Sequence, residues 1–136
     1  MKYLILILIP FISFSQQDVP NEYWIDDNNF EDKIKEHKAF GDDQLLHIVV
    51  EFWAKFNEVN CFAEWEQLKD ATYYRVDIAK APEAKKKYRV RMAPTIIIFK
   101  GGIKETVFKA GLDLELPADL EEIQEAINEV NAASKF

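Results

Sequence analysis

The feature that most constrains this chain is an apolar run, residues 47–54, that leads into the polar tetrad Asn57-Glu58-Val59-Asn60. The run is β-branched or aromatic almost throughout, as expected of a strand that is covered on both faces. Asn57 suits the N-cap of a helix, and Glu58 suits its positive first turn. The sequence therefore predicts a buried strand that ends at a helix N-terminus, where α/β folds commonly place their chemistry.

The rest of the chain predicts short strands and helices in alternation. Helices are predicted at residues 26–38, 57–70 and 81–88 and from 117 onwards, and further strands at 23–25, 73–78, 95–99 and 103–109. Gly101-Gly102, between the last two strands, predicts a tight hairpin. The resulting element order is βαβαβαββα, which indicates an α/β domain.

Several separate motifs resemble the thioredoxin family. They are the sequence VEFWA at residues 50–54, Val76-Asp77, and APEAKKKYRVRMAPTIIIFKGG at residues 81–102. The last is the most specific, since it is similar to the family's run that ends in Pro-Thr. The resemblance covers residues 23–131 and implies a thioredoxin-like fold, with a mixed central sheet flanked by helices. Arg89 stands where the family often has glycine.

The chain departs from the family at the redox site. Thioredoxins carry Cys-Gly-Pro-Cys after the strand, and the tetrad here contains no cysteine. A disulfide reductase needs a second thiol to resolve the mixed disulfide that it forms, so dithiol-disulfide oxidoreductase activity is not expected. The chain is therefore interpreted as redox-inactive.

The resemblance also implies a cis-proline at Pro94, beside a groove in which extended peptides pair with backbone groups. On this basis the Ala93 N–H and C=O are expected to face Asn57 and to be free for a ligand strand. The candidate groove residues are Trp53, Asn57, Asn60, Ala93, Pro94 and Thr95.

Two titratable residues lie near the predicted site. Glu51 matches the family's buried acid, so desolvation should raise its pKa, and Tyr73 is a partner that satisfies the carboxyl without a charge. Without an inner thiol, Glu51 is interpreted as a structural acid. Cys61 follows the tetrad, near a predicted helix N-terminus that would lower its pKa. It is either a monothiol nucleophile or a small apolar filler beside Phe62 and Trp65.

Residues 1–15, a basic start followed by an apolar run, predict a signal peptide or an uncleaved N-terminal anchor. They are followed by a linker at 16–21, one domain at 22–133 and a tail at 134–136. An exported protein, periplasmic or secreted, is expected. The net charge of −7 argues against nucleic acid and anionic membrane surfaces as partners. Lys85-Lys86-Lys87 is interpreted as a solvated helix face.

The leading functional hypothesis is a non-catalytic binding module that holds a partner protein or an extended peptide in the cis-proline groove. The first alternative is a monothiol oxidoreductase or thiol sensor that uses Cys61 with an external resolving thiol. The second is a structural subunit of a larger assembly. No cofactor is expected, and the two histidines, His37 and His47, show no metal-ligand spacing.

Overall fold

The computed structural model of the protein describes residues 19–35 and 47–133. The predicted signal segment and the 134–136 tail lie outside these residues, as does the predicted end of the first helix. No helix in the described part of the chain has the length and apolar character needed to cross a membrane.

Five strands form one mixed sheet in the order β1-β3-β2-β4-β5. The strands are β1 (Trp24–Ile25), β2 (His47–Trp53), β3 (Ala71–Asp77), β4 (Thr95–Lys100) and β5 (Ile103–Lys109). Strands β1, β3 and β2 are parallel, while β4 and β5 are antiparallel to their neighbours. The mixed sheet and the α/β fold class are therefore confirmed.

Helices cover both faces of the sheet: α1 (Phe30–Ile34), α2 (Pro82–Lys87) and α3 (Leu120–Ala133). Successive residues of a strand point to opposite faces, so β2 contributes Val50 and Phe52 to the core beneath α1 and α2, and Val49 to the core beneath α3. By the same alternation, Glu51 points toward the α3 side. Each fully buried Phe or Ile stabilises the fold by about 1.5–3 kcal/mol.

The predicted hairpin and the predicted last helix are confirmed, with α3 beginning at Leu120. Gly101 and Gly102 form the hairpin turn with φ values of 61° and 85°, the left-handed conformation that glycine adopts without strain. At the start of α3 the Glu122 N–H donates to the Asp119 side chain and the Asp119 N–H donates to the Glu122 side chain. This reciprocal pair is a capping box.

The helix predicted at residues 57–70 is wrong. This part of the chain forms two 3₁₀ turns instead, Lys55–Asn60 and Trp65–Gln67. Asn57 has non-helical dihedrals of φ −128° and ψ 29°, and its side chain caps no helix. The backbone N–H of Phe62 donates to Glu51 rather than to a preceding carbonyl. Tertiary partners thus satisfy polar groups that the sequence pattern assigned to a helix.

Candidate functional site

Asn57 is the centre of a partly buried hydrogen-bonded group that we call the amide cluster: Asn57, Asn60 and the carbonyls of Ala93 and Leu114. The Asn57 Nδ2 amide donates to the Ala93 carbonyl at 2.9 Å and to the Leu114 carbonyl at 2.8 Å. Its Oδ1 accepts from Asn60 Nδ2 at 2.8 Å. Asn57 is 8% exposed, so its whole amide is used within the protein. The cluster joins three segments that are distant in sequence.

The groove residues beside the amide cluster are closed to solvent. The Ala93–Pro94 peptide bond is cis, and Ala93, Pro94 and Thr95 are all buried. The Ala93 carbonyl faces Asn57 as expected, but the expectation that it is free is wrong because the Asn57 amide binds it. Thr95 Oγ1 donates to the Met92 carbonyl at 2.6 Å. The Ala93 carbonyl thus already has a donor, and Ala93 is only 1% exposed, so this carbonyl offers an incoming strand little access.

Trp53, the remaining groove candidate, packs elsewhere. Its ring contacts Trp24 edge-to-face, with the ring centroids 5.1 Å apart. The two rings line a cavity of about 470 Å³ with Asp26 and Asp77, at the carboxyl ends of β1, β2 and β3. The structure thus brings Asn57, Asn60 and Ala93 together and places Trp53 against the N-terminal strand.

A second group, which we call the charge cluster, lies under the site: Glu51, Tyr73, Arg75 and the Phe62 backbone. Glu51 is fully buried and accepts from the Tyr73 hydroxyl at 2.6 Å, the Phe62 N–H at 2.9 Å and Arg75 Nη2 at 3.2 Å. Arg75 also donates to the Tyr73 hydroxyl at 2.7 Å and to the Phe62 carbonyl at 3.1 Å. These donors and acceptors satisfy one another in a closed network.

The hydrogen bond from Tyr73 to Glu51 confirms the predicted partner of this carboxyl. However, Tyr73 is not the only partner, and the second one is charged. Arg75 adds a buried ion pair that the sequence analysis missed. A signal was present, because Tyr73 and Arg75 are two residues apart on one strand and so share a face. In the parallel pairing of β2 with β3, Arg75 stands directly beside Glu51.

The charge cluster shifts the pKa values of its members. Burial raises the pKa of the Glu51 carboxyl, while the Arg75 charge and the hydrogen bonds from Tyr73 and Phe62 oppose that rise. Burial and the neighbouring Glu51 raise the pKa of the Tyr73 hydroxyl well above its ordinary value. Because the contacts of the carboxyl are to groups of the fold itself, they support the structural interpretation of Glu51.

Cys61 does not begin a helix, contrary to the sequence interpretation. It follows the 3₁₀ turn Lys55–Asn60, and its N–H donates to the Glu58 carbonyl at 3.1 Å. The residue is half-buried, and this burial raises the pKa of its thiol despite the nearby Arg75 charge. The expected lowering of the pKa is therefore wrong, since no helix N-terminus stabilises the thiolate here.

Alkylation of Cys61 by iodoacetamide is expected to follow a pKa above that of an ordinary cysteine, because burial disfavours the thiolate. The rate should be measured from pH 6.5 to 10.5, with N-acetylcysteine as the reference. An inflection below that of the reference would support the monothiol alternative instead.

The two structural polar clusters lack the features of a metal site. In the described residues no three His, Cys, Asp or Glu side chains are grouped so as to hold a metal ion.

His47 is 1% exposed, and neither of its ring nitrogens has a hydrogen-bond partner in the described residues. Burial lowers the pKa of its imidazole, which favours the neutral form.

Comparison with known proteins supports the fold. No family model matches the chain, and no curated protein matches its sequence. Among solved structures, a thioredoxin from Schistosoma mansoni is 23% identical, with a TM-score of 0.58 over 78% of this chain and 92% of that one. A thioredoxin mutant from Halobacterium salinarum is 16% identical, with a TM-score of 0.59 over 78% and 87%. Thioredoxin f2 from Chlamydomonas reinhardtii is 16% identical, with a TM-score of 0.54 over 78% and 93%. The chain has the thioredoxin-like fold.

Proposed function

We propose that this protein is a non-catalytic thioredoxin-like domain that binds a protein partner through the apolar surface around the amide cluster. We call this surface the rim and define it as Phe56, Val59 and Leu112. The tetrad offers no thiol for disulfide exchange, since the single cysteine lies after it. A module with this fold can bind a partner without a dithiol.

The exposure of the rim carries the proposal. Phe56, Val59 and Leu112 are 75%, 88% and 91% exposed, and they belong to a set of four exposed large hydrophobic side chains in the described residues. The fourth, Ile103, starts the strand after the hairpin turn. Grouped exposed apolar side chains are typical of surfaces that a partner covers.

The amide cluster supports the rim. Phe56 precedes Asn57 directly, and Leu112 lies in the turn closed by the hydrogen bond from the Leu114 N–H to the Gly111 carbonyl. Because Asn57 binds the Leu114 carbonyl, it fixes this turn relative to the 3₁₀ turn that carries Phe56 and Val59. Asn57 thus organises a binding surface at the position where the resemblance implies a redox cysteine.

The mode of binding follows from the closed groove. With the Ala93 carbonyl bound to Asn57, backbone pairing is replaced by contacts between the rim and apolar side chains of the partner. Three exposed side chains without backbone pairing correspond to an affinity on the order of micromolar to millimolar. Export through residues 1–15 stays a prediction, and the proposal does not depend on it.

A matched pair of variants tests the proposal. We expect Ile103→Ser to capture the same partner proteins from a source lysate as the wild type. Phe56→Ser/Val59→Ser should lose them, because only this variant removes apolar area from the rim. Capture is measured by quantitative mass spectrometry after confirming equal melting temperatures. In parallel, insulin reduction by the wild type should equal the rate without protein. Equal capture by both variants, or insulin turnover that survives Cys61→Ala, would contradict the proposal.

A further inference from the structure

A basic concave surface lies beside α2 and the residues that follow it. It is a cavity of about 430 Å³, which we call the basic pocket, lined by Pro82, Lys85, Lys86, Arg89, Val90 and Arg91. Its lining holds four cationic side chains and no acid, in a chain whose net charge is −7. Four of the 17 Lys and Arg residues of an acidic chain therefore share one pocket lining.

The three lysines predicted to form a solvated helix face are exposed or half-buried, but they have different neighbours. Lys87 turns away and forms an ion pair with Glu31 at 2.9 Å. Lys85 and Lys86 line the pocket instead, together with two arginines that follow the helix. Among the described residues no acidic side chain is recorded in an ion pair with these four cations. They are available to an external anion.

Arg89 is held in the pocket by a strained backbone. Its φ is 56°, a left-handed conformation that disfavours any residue with a Cβ. The Arg89 N–H donates to the Lys86 carbonyl and the Val90 N–H donates to the Lys85 carbonyl. This pair of bonds is a Schellman motif, in which the left-handed position is usually glycine. The chain therefore carries an arginine where glycine would be more stable, and such strain is often found at functional sites.

The position of the pocket relates it to the proposed binding surface. Arg91 lies three residues before Pro94, and Ala93 between them is bound by Asn57. Two residues of chain, about 7 Å at most, therefore separate Arg91 of the pocket from the Ala93 carbonyl of the amide cluster. The net charge of the chain opposes the approach of an extended polyanion, whereas a short acidic segment needs to contact only the pocket.

We infer that the basic pocket binds an acidic segment of the partner, with Asp or Glu side chains paired to Lys85, Lys86, Arg89 and Arg91. This inference rests on the proposed function and specifies its partner: a protein in which acidic residues flank the apolar residues that contact the rim. Arginine and lysine paired with carboxylates form charge-assisted hydrogen bonds, which are stronger than neutral ones.

Arg89→Gly tests the inference because stability and binding should change in opposite directions. Relief of the left-handed strain should raise the melting temperature by roughly 3–6 °C. Affinity for fluorescein-labelled hexaglutamate, measured by anisotropy in 50 mM NaCl, should fall by about three- to tenfold. Lys104→Gln makes the same charge change on β5, outside the pocket lining, and should alter affinity less than twofold.

Three results would overturn the inference: no binding of hexaglutamate by the wild type, equal losses in Arg89→Gly and Lys104→Gln, or tighter binding of a single-stranded oligonucleotide than of hexaglutamate. Phe56→Ser/Val59→Ser should bind hexaglutamate like the wild type. The two hypotheses can therefore fail separately. In Phe56→Ser/Val59→Ser the capture of partners by the rim should be lost, while the binding of hexaglutamate by the basic pocket should not change.

Discussion

Replacing Arg75 with leucine is expected to lower the free energy of unfolding by about 3–5 kcal/mol, because it leaves a buried carboxylate without its counter-charge. Arg75 is 3% exposed and Glu51 is fully buried. The substitution also removes the donor to the Phe62 carbonyl and the donor to the Tyr73 hydroxyl. Such a loss is a large fraction of the stability of a small domain. Urea denaturation at pH 7.5 measures it.

The loss should depend on pH with a defined sign. The folded-state pKa of Glu51 is already raised by burial, and Arg75→Leu removes a charge that opposes this rise. A group whose pKa is raised in the folded state binds more protons there than in the unfolded state. Its contribution to the free energy of unfolding is therefore fully present below the unfolded-state pKa, and it is lost as pH rises through the folded-state pKa. The variant should therefore be closest to the wild type near pH 4 and furthest from it above neutrality.

The double variant Glu51→Gln/Arg75→Leu is the matched control. Glutamine keeps an acceptor for Tyr73 or Phe62 and removes the stranded charge, so this variant should be about 1–3 kcal/mol more stable than Arg75→Leu at pH 7.5. Its own free energy of unfolding should not change between pH 4 and pH 7.5 through residue 51, because glutamine does not titrate. A loss below about 1 kcal/mol in Arg75→Leu would show that the charge cluster is not a structural necessity.

Asn57→Ala is expected to destabilise the protein by about 2–4 kcal/mol, since it removes three hydrogen bonds and leaves the Ala93 carbonyl buried without a donor. Asn57→Asp has nearly the same shape and should destabilise by more at neutral pH. A carboxylate has only acceptors, and here it would face two carbonyl oxygens. Thermal and urea denaturation compare the two variants.

Acid should partly rescue Asn57→Asp. Burial and the two carbonyls disfavour the charged form, so the folded-state pKa of the introduced carboxyl should be raised, and stability should increase as pH falls through it. Asn60→Ala, which removes only the bond to Asn57 Oδ1, should cost about 1 kcal/mol. If Asn57→Ala costs no more than Asn60→Ala, the amide cluster does not hold the three segments together.

The rim and the basic pocket are proposed to bind one partner through two chemistries, apolar contact and charge. Asn57 fixes the segments that carry Phe56 and Leu112, and the chain continues from Arg91 to the Ala93 carbonyl that Asn57 binds. The same side chain that closes the backbone groove thus supports the surface proposed to replace it. This arrangement predicts that stability variants at Asn57 will also weaken capture by the rim.

The sequence by itself determined the elements whose causes are local. The hairpin follows from Gly101-Gly102, since both residues adopt a positive φ, and the start of α3 follows from the Asp119 and Glu122 capping pair. The nearly continuous apolar runs of β2 and β4 required a sheet covered on both faces. Turn chemistry and side-chain periodicity act over a few residues, so they can be interpreted from the chain alone.

Only the tertiary structure decided the site. The hydrogen bonds of Asn57 reach residues 36 and 57 positions away, and they outcompete the N-cap role that its local sequence favours. In the same way Glu51 withdraws the Phe62 N–H from a helical bond, and Arg75 closes the charge cluster across β3. The Ala93 carbonyl is occupied because the Asn57 amide binds it instead of capping a local helix. A buried polar group takes whichever partner the packed fold brings to it, and periodicity in the sequence does not specify that partner.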